Sequence, residues 1–344
     1  MTRALVTGAS GFIGGHVVRA LLTEGAEVRA FVRPASGSAS AAHTLEGLDV
    51  ERFEGDVTDA DAVRSAMADV DVVFHLAARY ALHRRDSDLT KAVNVAGTRV
   101  VMEAALAASV ERVVYTSSVA AVGLPTEDGT PADESVWADP CEAAGPYEAS
   151  KYASERLVQR MVAQQELPAV VVNPSAPIGP LDFKPTPSGQ LIVDAANGAL
   201  PAYLASAGLN IVHVSDVAAG HVLAWRRGEV GQRYILGNLQ GNLTLREIAD
   251  RAAKVAGRRG PRRSIPYAVA MAYAQADERV LYRFRGGVVH APIAGVRLAR
   301  HRMWFDCRRA VDQLGLPQTP LNDAFADAVR FFVEQRRVRP VENR

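Results

Sequence analysis

The turn TGASGFIGG constrains this chain most: it sets Gly8, Gly11 and Gly14 between an apolar run, RALVT (3–7), and an amphipathic one, FIGGHVVRALLTE (12–24). Glycines at three-residue steps carry no Cβ, so the backbone can turn tightly and approach a ligand closely. A helix opening behind such a turn offers unpaired N–H groups and the positive end of its dipole, which together hold a phosphate or pyrophosphate. A strand–turn–helix unit of this kind belongs to a layered α/β architecture.

The rest of the chain agrees. Apolar runs predict strands at 27–32, 49–54, 71–77, 111–118 and 168–173, and helical periodicity predicts helices at 12–24, 59–67, 88–108 and 147–165. The strands are apolar throughout rather than alternating, so they lie in a parallel sheet covered on both faces. Right-handed crossovers make this a doubly wound sheet with its ligand at the carboxyl ends of the strands. After residue 174 the loop-like stretch PSAPIGPLDFKPTPSG breaks the alternation. The expectation is a dinucleotide-binding domain over 1–174 and a smaller C-terminal α/β substrate lobe over 175–344, with segments returning to the sheet. Helices are predicted in the lobe near 188–198, 215–227, 244–256 and 320–337, and strands near 210–214 and 232–236.

The residues able to do chemistry cluster in the first half. GPYEASKYASE puts Tyr147 and Lys151 four residues apart, on one face of a helix. A phenol titrates near pH ~10 unperturbed, and a neighbouring ammonium favours its ionised form. TSS (116–118) ends a strand at the ligand edge. There Ser118 would orient a substrate oxygen toward Tyr147, and Thr116 is assigned to the cofactor side. A carbonyl held between Ser118 and Tyr147 would take its proton from Tyr147.

Arg33 stands in VRAFVRPAS, where an acid would hold a ribose 2′-hydroxyl. A guanidinium suits a 2′-phosphate, so NADP(H) is expected ahead of NAD(H). Asp56 in GDVTD reads either as an acceptor for an adenine amino group, with Val57 against the ring, or as a helix cap. Asn94 in NVAGT reads either as a cofactor-side donor or as a polar residue inside a helix. Tyr80, Ala120 and Lys184 are candidates for the substrate side. His75 reads as a satisfied core histidine, and His213 and Asp216 as a strand end and a helix cap.

Composition excludes other classes. With 39 Lys and Arg against 38 Asp and Glu, a net charge of +1 argues against a general basic surface, so neither nucleic acid nor membrane is expected as a partner. Cys141 and Cys307 lie far apart with no metal-ligand spacing, so neither a disulfide framework nor a metal site is expected. MTRALVTGAS lacks a signal-peptide pattern and no run approaches a membrane span, which suits a cytoplasmic, soluble protein. AGRRGPRR (256–263) reads as an exposed loop. Its Arg258, Arg259, Arg262 and Arg263 could bind an anionic substrate or, more simply, be solvated.

Taken together, TGASGFIGG, GDVTD, HLAA, NVAGT, YTSS, the YxxxK pair and VHVSDVAAGH resemble the extended short-chain dehydrogenase/reductases along nearly the whole chain. VRAFVRP, VVYTSSVAAVGLP, VNPSAPIGPLDFKPTP and ARHRMWFDCRRAVDQLG are most similar to two groups there, the dihydroflavonol-4-reductase-like enzymes and the hopanoid-associated sugar epimerases. The resemblance implies a Rossmann domain with a C-terminal substrate lobe, often a homodimer, acting on a small molecule. It implies that Gly8, Gly11, Phe12, Ile13 and Gly14 hold the pyrophosphate. Asp56 and Val57 would meet adenine, Leu76, Ala77 and Ala78 would flank the ribose, and Pro174 and Ser175 would lie near the nicotinamide. It makes Ser118, Tyr147 and Lys151 the catalytic trio. Val119, Ala120 and Ala121 stand where nucleotide-sugar dehydratases carry an acidic pair, and VVVNPSAP is nearer the reductases than the epimerases. The expectation is an NADPH-dependent carbonyl reductase. The alternatives are a sugar 4-epimerase retaining NAD and a cofactor-sensing regulator, the latter disfavoured by the intact Tyr147–Lys151 pair.

Overall fold

Apolar residues two apart on each strand divide the core between two faces of one sheet. Val6, Phe74, Val114 and Val172 point to one side, and Leu5, Val73, Val113 and Val171 to the other, all essentially without solvent contact. The computed structural model describes residues 2–34, 43–81, 84–125, 129–141, 143, 145–281, 289 and 292–339.

These residues lie on β1 (Arg3–Thr7), β4 (Val72–His75), β5 (Arg112–Thr116) and β6 (Ala169–Pro174), which β2 (Glu27–Val32) and β3 (Glu51–Glu54) extend beyond β1. With β10 (Arg233–Leu236) they form a seven-stranded sheet in the order β3-β2-β1-β4-β5-β6-β10. Every neighbouring pair is parallel. The order reverses between β1 and β4, which opens a crevice at their carboxyl ends.

Helices α1 (Phe12–Thr23) and α7 (Val214–Arg227) cover the first face through Val17, Val18, Leu21, Val217, Val222 and Trp225. The other face is covered by α2 (Ala60–Ala66), α4 (Thr98–Ala107) and α5 (Pro146–Gln165) through Val63, Val101, Met102, Leu157 and Val158. Each such aliphatic side chain contributes about 1.5–3 kcal/mol of burial.

One predicted helix, 88–108, is three pieces: α3 (Ser87–Lys91), a π-helical turn (Ala92–Gly97) and α4. The wider turn brings Asn94 fully into the interior, an irregularity that periodicity does not reveal.

In the second half, β9 (Gly208–His213) pairs with β7 (Ala176–Ile178) and β13 (Arg302–Met303) in parallel and with β11 (Asn242–Thr244) antiparallel. Helices α6 (Pro187–Ala196), α8 (Leu245–Val255) and α11 (Leu321–Glu334) pack here through Ile192, Ile248, Phe325 and Phe332. Strand β7 lies inside the stretch expected to be a loop. Its Pro177 donates no hydrogen bond, and β7 is an edge strand that tolerates this.

Two further helices, α9 (Tyr267–Ala276) and α10 (Ile293–Leu298), were not expected. They gather with the short pair β8 (Tyr203–Leu204) and β12 (Ser264–Ile265) around Leu204, Ala207 and Ala270. Among the described residues no helix is long and apolar enough to cross a membrane. No group of His, Cys, Asp and Glu among them could hold a metal ion, and Cys141 and Cys307 are both free.

Candidate active site

The glycine turn between β1 and α1 is shaped by contacts that a side chain would destroy. Gly8 adopts φ +72°, and a Cβ there would stand 2.8 Å from the Ala77 nitrogen; one on Gly14 would stand 2.1 Å from the Gly8 oxygen. Gly11 caps α1 in extended backbone with no side chain to satisfy the first-turn N–H groups. Those of Phe12, Ile13 and Gly14 therefore have no capping side chain, which makes the turn a cradle of the kind that suits an anion. Leu76 donates its N–H to the Thr7 carbonyl, and Ala77 donates to Thr7 Oγ1 at 3.2 Å. These bonds press the Leu76–Ala78 segment against the cradle, with Ala78 exposed at its rim.

Two strand ends away, β5 delivers Ser118 and α5 delivers Tyr147 and Lys151. Ser118 is extended at the start of the short turn Val119–Ala121, and its Oγ accepts the Ala120 N–H at 3.2 Å. The Ser118 hydroxyl lies near enough to the Tyr147 phenol to favour its ionised form. Lys151 lies one helical turn behind, buried, with Nζ donating to the Thr116 carbonyl at 3.0 Å.

Burial dominates the electrostatics. It pushes the Tyr147 phenol up to about 12, with the Glu148 carboxylate adding to the rise and the Ser118 hydroxyl opposing it. The expected lowering by Lys151 does not set this value, and its Nζ is directed to the Thr116 carbonyl. Burial likewise pulls Lys151 down to about 8, against the Glu155 carboxylate. The pair thus meets neutral solution as a protonated phenol beside an ammonium.

Residues 4–237 match the model of the NAD dependent epimerase/dehydratase family. The chain belongs to that family. A protein from Synechocystis sp. that carries a dihydroflavonol 4-reductase name is 40% identical over 331 residues, covering 95% of this chain and 93% of its own length. Sterol demethylase protein B of Methylococcus capsulatus is 36% identical over 332 residues, covering 96% of this chain and 98% of its own. The crystal structure of gox2253 superposes with a TM-score of 0.85 at 39% identity, covering 98% of this chain and 100% of that one. The chain is an extended short-chain dehydrogenase/reductase, an oxidoreductase-type enzyme that works with a nicotinamide dinucleotide.

Within this family frame the other expected residues divide. Arg33 is exposed at the end of β2, close enough to Asp56 to help hold its carboxyl below the usual range, behind the larger effect of two hydrogen bonds from Thr58. Those bonds run from Thr58 N and Oγ1 to Asp56 Oδ1 at 2.9 and 2.7 Å. The cap of α2 is Asp59, which accepts from Asp61 and Ala62, so Asp56 is not the helix cap. Val57 is buried against Gly97.

Asn94 is spent internally. Its Nδ2 donates to Ser150 Oγ at 2.8 Å and to the Arg79 carbonyl at 3.0 Å, and its Oδ1 accepts the Arg79 N–H at 2.7 Å. It thus ties the loop before Tyr80 to α5 instead of presenting a donor to the crevice. Thr116 turns its hydroxyl to His221 Nε2 at 2.9 Å and offers Lys151 only its carbonyl. Pro174 ends β6, and Ser175 Oγ donates to Asn210 Oδ1 at 3.0 Å. The Tyr80 ring, 46% exposed, leans on the Tyr147 ring at 4.5 Å between centroids, forming an aromatic wall at the mouth. Lys184 is exposed on the loop before α6, which Phe183 pins to Phe331, and it has no hydrogen bond or ion pair with the trio.

His75 is the satisfied core histidine expected. Thr98 Oγ1 donates to the Asn94 carbonyl and so accepts from His75 Nε2–H, leaving Nδ1 to accept from Thr7. Burial, then the nearby Lys151 charge, pulls its value down to about 3, so it stays neutral.

The support under Ser118 was not anticipated. Asn173 Nδ2 donates to the Ser118 carbonyl at 3.0 Å and to Glu155 Oε2 at 2.8 Å. Glu155 in turn pairs with Arg233, both side chains almost without exposure. Arg233 also donates to the carbonyls of Ala121 and Glu134 and lies over the Trp137 ring at 3.8 Å. One local signal existed for Glu155: it follows Lys151 by four residues, on the same helical face.

Proposed function

We propose that this enzyme reduces a carbonyl with NADPH, using Ser118, Tyr147 and Lys151. The observation that carries the reading is the convergence, at the carboxyl end of β5, of Ser118, a Tyr147 phenol that burial keeps protonated and a buried Lys151. Gly8, Gly11, Gly14 and the first turn of α1 would hold the pyrophosphate, Asp56 and Val57 the adenine, and Arg33 a 2′-phosphate. When bound, the cofactor supplies the two electrons of the reduction.

The protein's own part is position and a proton. Ser118 hydrogen-bonds the substrate oxygen and orients it, and the Tyr147 O–H gives that oxygen its proton. Lys151, an ammonium below about pH 8, stabilises the phenolate left behind. Val119, Ala120 and Ala121 place no acid or base beside the substrate, which suits simple reduction over elimination. The aromatic wall of Tyr80 and Tyr147 suits a flat, largely apolar keto compound. The names of the relatives, one a dihydroflavonol 4-reductase and one a sterol demethylase protein, are in keeping with such a substrate.

The test is NADPH consumption against a panel of ring-bearing ketones and aldehydes, with nucleotide binding measured alongside. Tyr147→Phe should cut turnover at least ~100-fold, the scale of losing a general acid, while NADPH binding holds. Near-normal turnover in that variant would overturn the chemistry. Tightly retained NAD with no exchange would favour an epimerase.

A further inference from the structure

The segment from 258 to 302 departs from the rest of the chain in two ways at once. It carries ten arginines against two acids, whereas the remaining residues hold 29 Lys and Arg against 36 Asp and Glu. The near-zero net charge conceals this asymmetry. The two acids do little to offset the field outside: Asp277 is fully buried, and Glu278 accepts the Ile293 N–H at 2.7 Å. Arg259, Arg262, Arg263, Arg279, Arg297 and Arg300 all face solvent.

In the midst of these cations lies α9, YAVAMAYAQA, of which only Ala270 and Ala274 are buried. Its outer side shows Val269 at 55% exposure and Tyr273 at 44%, continued by Val280 at 51% beyond the helix end. Val269, Tyr273 and Ala276 follow α-helical spacing and make one stripe, and Val280 follows in the π-helical turn Asp277–Leu281. Ala268 and Ala272 are also exposed. Soluble helices normally turn charge outward, and a contiguous apolar stripe marks a contact surface.

The arginines belong to the same small assembly. Arg262 and Arg263 lead into β12, whose chain enters α9. Helix α10, which carries Arg297, packs on α9 with Val296 joining Ala270 in one apolar cluster. Arg300 lies 5.7 Å from the Tyr267 ring at the start of α9.

An apolar helix edge framed by outward cations, with its acids turned inward, is complementary to an anionic lipid surface. We infer that α9 and its surrounding arginines dock the enzyme on an anionic membrane, with Val269, Tyr273 and Val280 entering the headgroup–acyl boundary. A second copy is the poorer fit, because two such faces would set like charges against each other. The inference stands apart from the reading of the trio, and its test needs no turnover.

The experiment is co-sedimentation of the full chain with vesicles of phosphatidylcholine alone or mixed with phosphatidylglycerol, at low and high salt. Affinity for the anionic vesicles should exceed that for neutral ones at least ~tenfold and fall with salt. Val269→Glu with Val280→Glu, and separately Arg262→Ser with Arg263→Ser, should each weaken anionic binding ~tenfold and leave the melting temperature unchanged. No binding by the unaltered chain, or equal binding by the valine variant, would overturn the inference. So would a change of oligomeric mass in that variant, which would make the face a contact between copies. Retention of an oligonucleotide that depends on the arginines and not the valines would overturn it too, in favour of nucleic acid.

Discussion

Arg233 and Arg262 show how differently two regions of this molecule use one side chain. Beneath the site, Arg233 is enclosed by Glu155, Trp137 and backbone carbonyls, and its charge fixes the geometry of the turn that carries Ser118. On the outer lobe, Arg262 stands in water, and its charge acts on whatever approaches. Under the site His75, Asn94 and Thr116 turn their polar atoms inward to partners. Around α9 the apolar and charged groups are instead turned outward. The first arrangement preorganises chemistry; the second presents a surface.

Truncating each arginine gives the widest test of this contrast. Arg233→Ala strands Glu155 without its partner and should lower stability by about 3–5 kcal/mol. Arg262→Ala should stay within about 0.5 kcal/mol. Urea midpoints measure both, and equal losses would erase the distinction.

Alkaline pH should separate the regions next. Burial brings Lys151 from 10.5 to about 8, so its ammonium is present below that value and lost above it. The reduction rate should therefore fall as pH rises through about 8, approaching ~tenfold per unit. Arginine stays protonated over that range, so vesicle affinity should remain flat. A rate profile still flat at about pH 10 would remove Lys151 from the mechanism.

The smallest effect concerns the cofactor edge. Arg33→Ser should weaken NADP(H) about tenfold, the scale of a charge-assisted hydrogen bond, and leave NAD(H) unchanged in a fluorescence titration. Equal weakening of both cofactors would assign Arg33 to adenine stacking instead.

The same contrast explains what was legible in the sequence. Gly8, Gly14, Tyr147 and Lys151 announce themselves because a turn and one helical step are local patterns. Strand apolarity likewise exposed all seven of the sheet's strands. The support of the site is long-range: His221 meets Thr116 across 105 positions, and Arg233 arrives from the far half to meet Glu155. No periodicity links such residues. Asn94 was hidden by a π-helical turn and β7 by its proline. Helix α9 escaped because a run apolar on every side has no amphipathic period. The arginine cluster was legible but undervalued, since a net charge averages over the regions that matter.

Strand β10 sets a condition on how the chain is made. Residues 233–236 complete the sheet by covering the outer edge of β6, and Arg233 neutralises a glutamate belonging to α5. At a synthesis rate of about 5–20 residues per second, β6 waits several seconds for its neighbour. During that interval the nascent chain holds an uncovered apolar strand edge and an interior carboxylate without its cation, the state in which chaperones and stray strands compete for it. Cutting the gene after β6 would make that interval permanent.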